Sequence, residues 1–458
     1  MSQPDEVAGE LVDEVPVDPA AGRVYAEGWQ SWSPATWYPV TGTSLAPQEP
    51  WQHLMRFRPG TPIASSGIQA EGLLVVDPGP GRPARCYGAL DPLVVPTLHA
   101  TLAGDHLHVR ASGPVTTWTD AAGAEAALAT YAAELGVAAG VAAPVDPPTA
   151  WCSWYRYFED ITATDIEENL RAFDDLDLAV DVVQVDDGWS PGLGEGLQPA
   201  DRFGSLPGLV ESIRTSGRRA GIWLAPFLVG ADTTLAREHP EWIVGPAGRN
   251  WGQDLVGLDV THPGVRDLLV DALERLVGLG VDYLKLDFLY GGAIPGRRHD
   301  AVSAEEAYRS GLELVRETVG PDVYLVGCGA PLLPSLGLVD AMRVSPDTFH
   351  EGGEDGSTGL RGLMPLAARA WQQGRFWVND PDCVVARPSY SQRERWTHEA
   401  TNLGGLRSFS DRVADLDDWG LETVRRLLAG GSTAQPFPAH RVHAGAALAR
   451  AELGEDPA

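Results

Sequence analysis

Between Trp151 and Asp411, short apolar runs alternate with amphipathic stretches eight times over, and few folds accept that pattern. The runs are WCSWY from Trp151, VDVVQVDDGW from Val180, RRAGIWLAP from Arg218 and VDYLKLDF from Val281. DVYLVGCG from Asp322, VDAMRVSPD from Val339, GRFWVND from Gly374 and LGGLRSFSD from Leu403 follow. Helical periodicity fills the intervals, as in Ile166 to Leu176, Val265 to Leu279 and Ala304 to Val319. Eight buried strands, each followed by a helix, predict a (β/α)8 barrel. A doubly wound open sheet is the competitor, but the chain has neither a GxGxxG after a strand nor a Walker A loop.

Upstream the pattern is different. Val24 to Trp32, Ile68 to Val76 and Thr97 to Val109 are short β-like runs punctuated by Gly, Pro and Asp, which predicts a β-sandwich. An alanine-rich helix over Ala121 to Leu135 and the Pro-rich stretch VAAPVDPPTA then separate it from the barrel. The expected organisation is a sandwich over 1–145, a barrel over 146–432 and a short tail over 433–458.

The 458 residues carry 34 basic and 63 acidic side chains, a formal charge of −29. That balance argues against nucleic acid and anionic lipid as partners, since both are bound through basic patches. No apolar run is long enough for a membrane span, and the acidic N-terminus lacks the features of a signal peptide. The expected location is cytoplasmic. Cys86, Cys152, Cys328 and Cys383 are far apart and read as small buried hydrophobes. His106 and His108 have the spacing of strand alternation, and neither a metal nor a cofactor is called for.

In a barrel, chemistry gathers where the strands end. Asp186 and Asp187, Asp287, Asp347, Asp380 and Asp411 close runs, with Trp223 closing the third and Cys328 the fifth. Carboxylates that accept hydroxyl protons, together with flat aromatic faces, suit a small, uncharged, polyhydroxylated carbohydrate. The fourth run carries the chain's one lysine, Lys285, against 33 arginines. Strand alternation puts Tyr283, Lys285 and Asp287 on one face, which must be the lumen. The alternative is a buried structural ion pair. Arg343 precedes Asp347 at the end of the sixth run. Two carboxylates on nearby strand ends can divide glycoside cleavage between attack at the anomeric carbon and proton transfer.

WCSWY, VDDGW, GIWLAPF, YLKLDF, MRVSPDT and NDPDC, in this order, resemble glycoside hydrolase family 36, the bacterial α-galactosidases, akin to families 27 and 31. EGWQSWS resembles that family's β-sandwich domain, so the likeness runs from about residue 24 to 430. The resemblance implies a retaining mechanism with Asp287 as nucleophile and Asp347 as acid/base. It puts Asp186 and Asp187 at the sugar's O4 and O6, Lys285 and Arg343 on ring hydroxyls and Trp223 in the pocket wall. Cys328 and Gly329 would lie near O2. Three features depart from the family pattern: Leu286 where many members have tryptophan, Ala330-Pro331 where many are glycine-rich, and a C-terminal β-domain that is almost absent.

The expected activity is therefore hydrolysis of terminal α-galactosides in small oligosaccharides such as melibiose or raffinose. Alternatives are an α-N-acetylgalactosaminidase or another retaining α-glycosidase on the same scaffold, for an axial-O4 or pentopyranoside sugar, a raffinose-synthase-like transferase and a non-catalytic sugar-binding module. Retention predicts the two carboxyls about 5–5.5 Å apart. Asp347 is expected in a setting that raises its pKa, while Asp287 stays ionised beside Lys285. Family members often assemble with the N-terminal domain of one subunit at another's pocket, which leaves open a homo-oligomer and such a place for the Trp29 to Trp32 stretch.

Overall fold

The computed structural model describes residues 9–194, 200–250 and 252–430. The tail read over 433–458 lies outside the described residues. The barrel strands are Thr149–Cys152 (β1), Val182–Val185 (β2), Arg219–Leu224 (β3), Val281–Leu286 (β4), Tyr324–Gly327 (β5), Ala341–Arg343 (β6), Val378–Asp380 (β7) and Arg407–Phe409 (β8). They form one sheet in the order β7-β6-β5-β4-β3-β2-β1-β8, parallel throughout. The backbone N–H groups of Gly405 and Leu406 donate to the Asn379 carbonyl at 2.8 and 3.0 Å, bringing β7 and β8 together and nearly closing the barrel.

Both faces of each strand are covered, which is why the sequence runs are continuously apolar. Ala150, Val182, Tyr283, Tyr324, Val326, Ala341, Val378 and Leu406 pack as a cluster of their own. Leu284 and Leu286 belong instead to the large cluster that includes the helices' apolar side chains. The split follows the strand alternation and puts Tyr283, stacked on Tyr324 at 5.6 Å, beneath Lys285 in the lumen.

The helix Ala163–Asp175 shows how the outer layer is specified. Thr162 and Asp165 form a reciprocal capping box at its start, and Ile166, Leu170 and Phe173 face the barrel. Burying Phe173 contributes about 1.5–3 kcal/mol, and losing the Thr162 cap would cost about 1 kcal/mol. Pro263–Leu279, Ala304–Val319, Arg393–Leu403 and Asp418–Ala429 pack in the same way. The expectation of a helix after every strand does not hold. After β5 there is only the 3-10 turn Leu333–Ser335, and after β6 the short helix Leu363–Ala368. An insert of three antiparallel strands (Leu228–Gly230, Ile243–Asn250 and Gln253–Leu258) also intervenes between β3 and its helix.

The N-terminal part is two antiparallel sheets. One holds Glu10–Pro16, His106–Ala111, Thr97–Ala103 and Ile68–Glu71, and the other holds Thr36–Pro39, Arg23–Ala26, Leu73–Asp77, Ala84–Gly88 and Thr116–Asp120. Val24, Leu74, Val76, Ile68, Leu98 and Val109 pack between them. The helix Ala124–Ala138 packs on the second sheet, with the Tyr131 ring seated where a side chain on Gly88 would project. The strand read over Val24 to Trp32 stops at Ala26. There the chain folds back so tightly that a Cβ on Gly28 would lie 2.2 Å from the Ser33 side chain.

Candidate active site

The β-strand ends converge on a cluster of buried acids and cations. Lys285 enters the lumen one pleat above Tyr283, but its ion-pair partner is not the neighbouring Asp287. Its ammonium donates to Asp186 across β3 at 2.9 Å. Asp186 also accepts from Gln184 at 2.5 Å and from the Cys152 thiol at 3.3 Å, so one carboxylate oxygen anchors three donors, and the other accepts from the Asp187 N–H at 2.9 Å. Asp186 and Asp287 together hold Lys285 charged against the desolvation that burial imposes.

Asp287 is held by neutral donors. Trp223 Nε1 donates to it at 3.0 Å, the Phe288 backbone N–H at 2.8 Å, and the Cys328 thiol completes the set. Burial pushes its pKa up, while the Lys285 charge and these hydrogen bonds oppose the shift. Phe288, immediately after it, sits in the left-handed region at φ 50°, a strained position for an aromatic residue and one that clusters at functional sites. Trp223 is itself fixed in the wall: its carbonyl accepts from Trp189 Nε1 at 2.9 Å.

Among the described residues no cation pairs with Asp187. Burial, with Asp186, Glu159 and Asp287 nearby, pushes its carboxyl up to about 7, against the Gly188 N–H that it accepts. Arg343 closes β6 and pairs with Asp347 at 2.8 Å and, more closely, with Asp382. The Asp347 side chain is 37% exposed and is the open member of the group. Asp382 also accepts from Tyr155 and from Thr348, and it adopts φ 89° in the NDPDC turn.

The other strand-end acids serve the scaffold. Asp411 is fully buried in an ion pair with Arg387 at 3.0 Å and accepts from the Ala386 N–H. Asp380 caps the turn that presents Asp382. The four cysteines are free and buried, but two are more than filler, since Cys152 and Cys328 hydrogen-bond Asp186 and Asp287. Among the described residues no three His, Cys, Asp or Glu side chains group as a metal site, and no helix is long and apolar enough to cross a membrane.

Sequence reasoning missed Tyr155, Gln184 and Asp382, which support the site from the sides. The loop after Ala26 lies on this chain's own barrel, where the Ser31 N–H donates to the Ala330 carbonyl at 2.9 Å. There the Trp32 ring meets Phe288 edge-on at 5.2 Å.

A family model described as Melibiase matches residues 146–314. The structure is similar to TtGalA, an α-galactosidase from Thermus thermophilus solved with p-nitrophenyl α-D-galactopyranoside (TM-score 0.75, 29% identity, covering 91% of this chain and 87% of that one). The family 36 α-galactosidase AgaA from Geobacillus stearothermophilus shares the fold at TM-score 0.61 and 14% identity, over 91% of this chain and 61% of that one. In sequence, the bifunctional α-galactosidase/sucrose kinase AgaSK of Mediterraneibacter gnavus is 29% identical over 146 residues, 30% of this chain. That match spans only 15% of the relative's length, and the match to AgaA, at 26% identity, spans 31% of this chain and 21% of AgaA. With a Melibiase family model matching the heart of the barrel and an α-galactosidase aligned over nine-tenths of its length, the chain is similar to the glycoside hydrolase family 36 α-galactosidases.

Proposed function

We propose that the protein is a retaining α-glycosidase that hydrolyses terminal α-galactosides of small oligosaccharides, with Asp287 as nucleophile and Asp347 as acid/base. The observation that carries this reading is the unequal treatment of two strand-end carboxylates. Asp287 is immobilised by three neutral donors beside a buried ammonium, which suits a group that must attack along one line. Asp347 is open to solvent and held through Arg343, which suits a group that exchanges protons with a leaving oxygen and then with water. TtGalA's complexes with p-nitrophenyl α-D-galactopyranoside and stachyose support the choice of sugar.

In this mechanism Asp287 bonds to the anomeric carbon as Asp347 protonates the departing oxygen. Asp347 then takes a proton from water as the water oxygen bonds to the anomeric carbon, which breaks the bond to Asp287 and releases the sugar with its α configuration kept. Asp186 and Asp187 accept from hydroxyls on the sugar's far edge, and Lys285 and Arg343 donate to ring hydroxyls. Cys328 and Gly329 border O2.

The test is initial rates on 4-nitrophenyl α-galactoside, α-N-acetylgalactosaminide, α-glucoside and β-L-arabinopyranoside, with the product anomer read by NMR. Galactoside activity with retention is expected. Asp287→Ala should be inactive on all four, whereas Asp347→Ala should spare good leaving groups far more than poor ones. Inversion, or equal loss on both leaving groups, would refute the assignment. Transfer to an added acceptor sugar in place of hydrolysis would favour the transferase alternative.

A further inference from the structure

We propose that Trp32, delivered by the N-terminal domain, determines specificity by closing the sugar site against a 2-acetamido substituent. The inference rests on the reading above that Cys328 and Gly329 lie near O2. A Cβ built on Gly329 would fall 3.0, 3.1 and 3.2 Å from three carbons of the Trp32 six-membered ring, so the indole already fills the space over that glycine. Gly329 itself needs no side chain to be crowded, since the ring supplies the wall. A hydroxyl at C2 ends short of it, whereas a planar acetamido group continues into the volume the ring occupies.

The ring cannot readily swing aside. Phe288 meets it at 5.2 Å and Tyr290 at 6.0 Å. Its backbone N–H donates to Gln30 Oε1 at 2.7 Å. The loop that carries it is stitched to the segment after β5 by Ser31 N–H to Ala330 O (2.9 Å), Ala330 N–H to Ser31 Oγ (3.2 Å) and Leu332 N–H to Trp29 O (3.0 Å). From the other side Arg369, with no solvent exposure, donates to Glu27 Oε1 at 2.8 Å and to the carbonyls of Ser31, Ser33, Gln30 and Val344 at 2.6–3.2 Å. One buried guanidinium thus ties the sandwich loop to the barrel at the residue beside β6. Arg369 is a positioning residue, and the specificity wall is the ring it holds in place.

The experiment compares kcat/KM for 4-nitrophenyl α-galactoside and α-N-acetylgalactosaminide in the wild type, Trp32→Ala, Trp32→Leu and Arg369→Gln. Calorimetric binding of free galactose and N-acetylgalactosamine to the same proteins provides a second readout. The wild type should strongly prefer the galacto form. Either Trp32 variant should shift the ratio toward the acetamido sugar by at least about tenfold, the discrimination a small group in a pocket carries. Arg369→Gln should shift it in the same direction by less, with the ring still present. An unchanged ratio in a folded Trp32 variant that still cleaves the galactoside would overturn the inference, as would a wild type that handles both sugars alike. If the wild type cleaves no α-galactoside, the proposed activity fails. Binding then decides this inference separately: galactose alone in the wild type and both sugars in Trp32→Ala support it, and any other binding pattern overturns it.

Discussion

Replacing Lys285 by Met should leave one of the least exposed carboxylates in the molecule without its cation. The ammonium lies 2.9 Å from Asp186, and the two side chains are 9% and 2% exposed, so solvent screens almost none of the loss. Removing one partner of such a pair costs about 3–5 kcal/mol, because the surviving charge stays buried and uncompensated. Gln184 and Cys152 still donate to Asp186 but cannot neutralise it. The double variant Lys285→Met/Asp186→Asn removes the stranded charge and should recover at least half of the lost stability, although neither variant should turn over a galactoside. Urea unfolding followed by circular dichroism measures the cycle. A single-variant cost below about 1 kcal/mol, the value of an exposed pair, would refute the reasoning. So would a double variant no more stable than the single one.

Trp223→Phe keeps an aromatic ring, though a smaller one, and removes the Nε1–H that holds Asp287 at 3.0 Å. A hydrogen bond to a charged group is worth about 1.5–3 kcal/mol, so kcat should fall about ten- to hundredfold with little change in KM. Asp187 is pushed up to about 7 by burial, so the folded protein holds a proton that the unfolded chain releases near pH 4. The stability this contributes is complete below that unfolded value and is lost as pH rises toward 7, by up to about 1.4 kcal/mol per unit. Asp187→Asn should flatten that slope in unfolding titrations. Asp411→Ala should cost about 3–5 kcal/mol by stranding the buried Arg387, yet leave kcat/KM of the folded fraction unchanged.

The barrel was legible because buried parallel strands write themselves as unbroken apolar runs, and all eight were found within a few residues. The polar residue that closes each run was also visible, but its partner was not. Periodicity along β4 joins Lys285 to Asp287, whereas the ion pair forms across β3 with Asp186, through a proximity that only barrel curvature creates. Asp411 and Asp187 look alike in sequence, and only the presence of Arg387 beside one and of no cation beside the other separates scaffold from site. Glu10–Pro16 was missed as a strand because its acidic alternation reads as a solvated terminus, and Ile243–Asn250 because Gly and Pro interrupt it. The Trp32 wall was beyond reach for another reason. It depends on Arg369 meeting carbonyls more than three hundred residues upstream, and carbonyls leave no mark in a sequence.

Charge at the pocket sets a limit on what enters it. Among the described residues, Asp186, Asp187, Asp287, Asp347 and Asp382 outnumber by three the cations paired with them, Lys285 and Arg343, and Glu159 adds a further acid beside Asp187. A field of that sign favours a transition state in which positive charge grows on the sugar ring, and it adds to the burial that raises the Asp187 pKa. It must also repel a sugar carrying its own negative charge. At an effective dielectric of 20, two charges 4 Å apart repel by about 4 kcal/mol, and even a third of that weakens binding about tenfold. A 6-phosphorylated 4-nitrophenyl α-galactoside should therefore show a KM at least about tenfold above its neutral parent at pH 8, where Asp187 is ionised. Asp187→Asn should narrow the gap, because it removes the unpaired acid assigned to that end of the sugar. Equal KM values for the two substrates in the wild type would refute the electrostatic argument, since repulsion cannot be silent where five acids meet two cations.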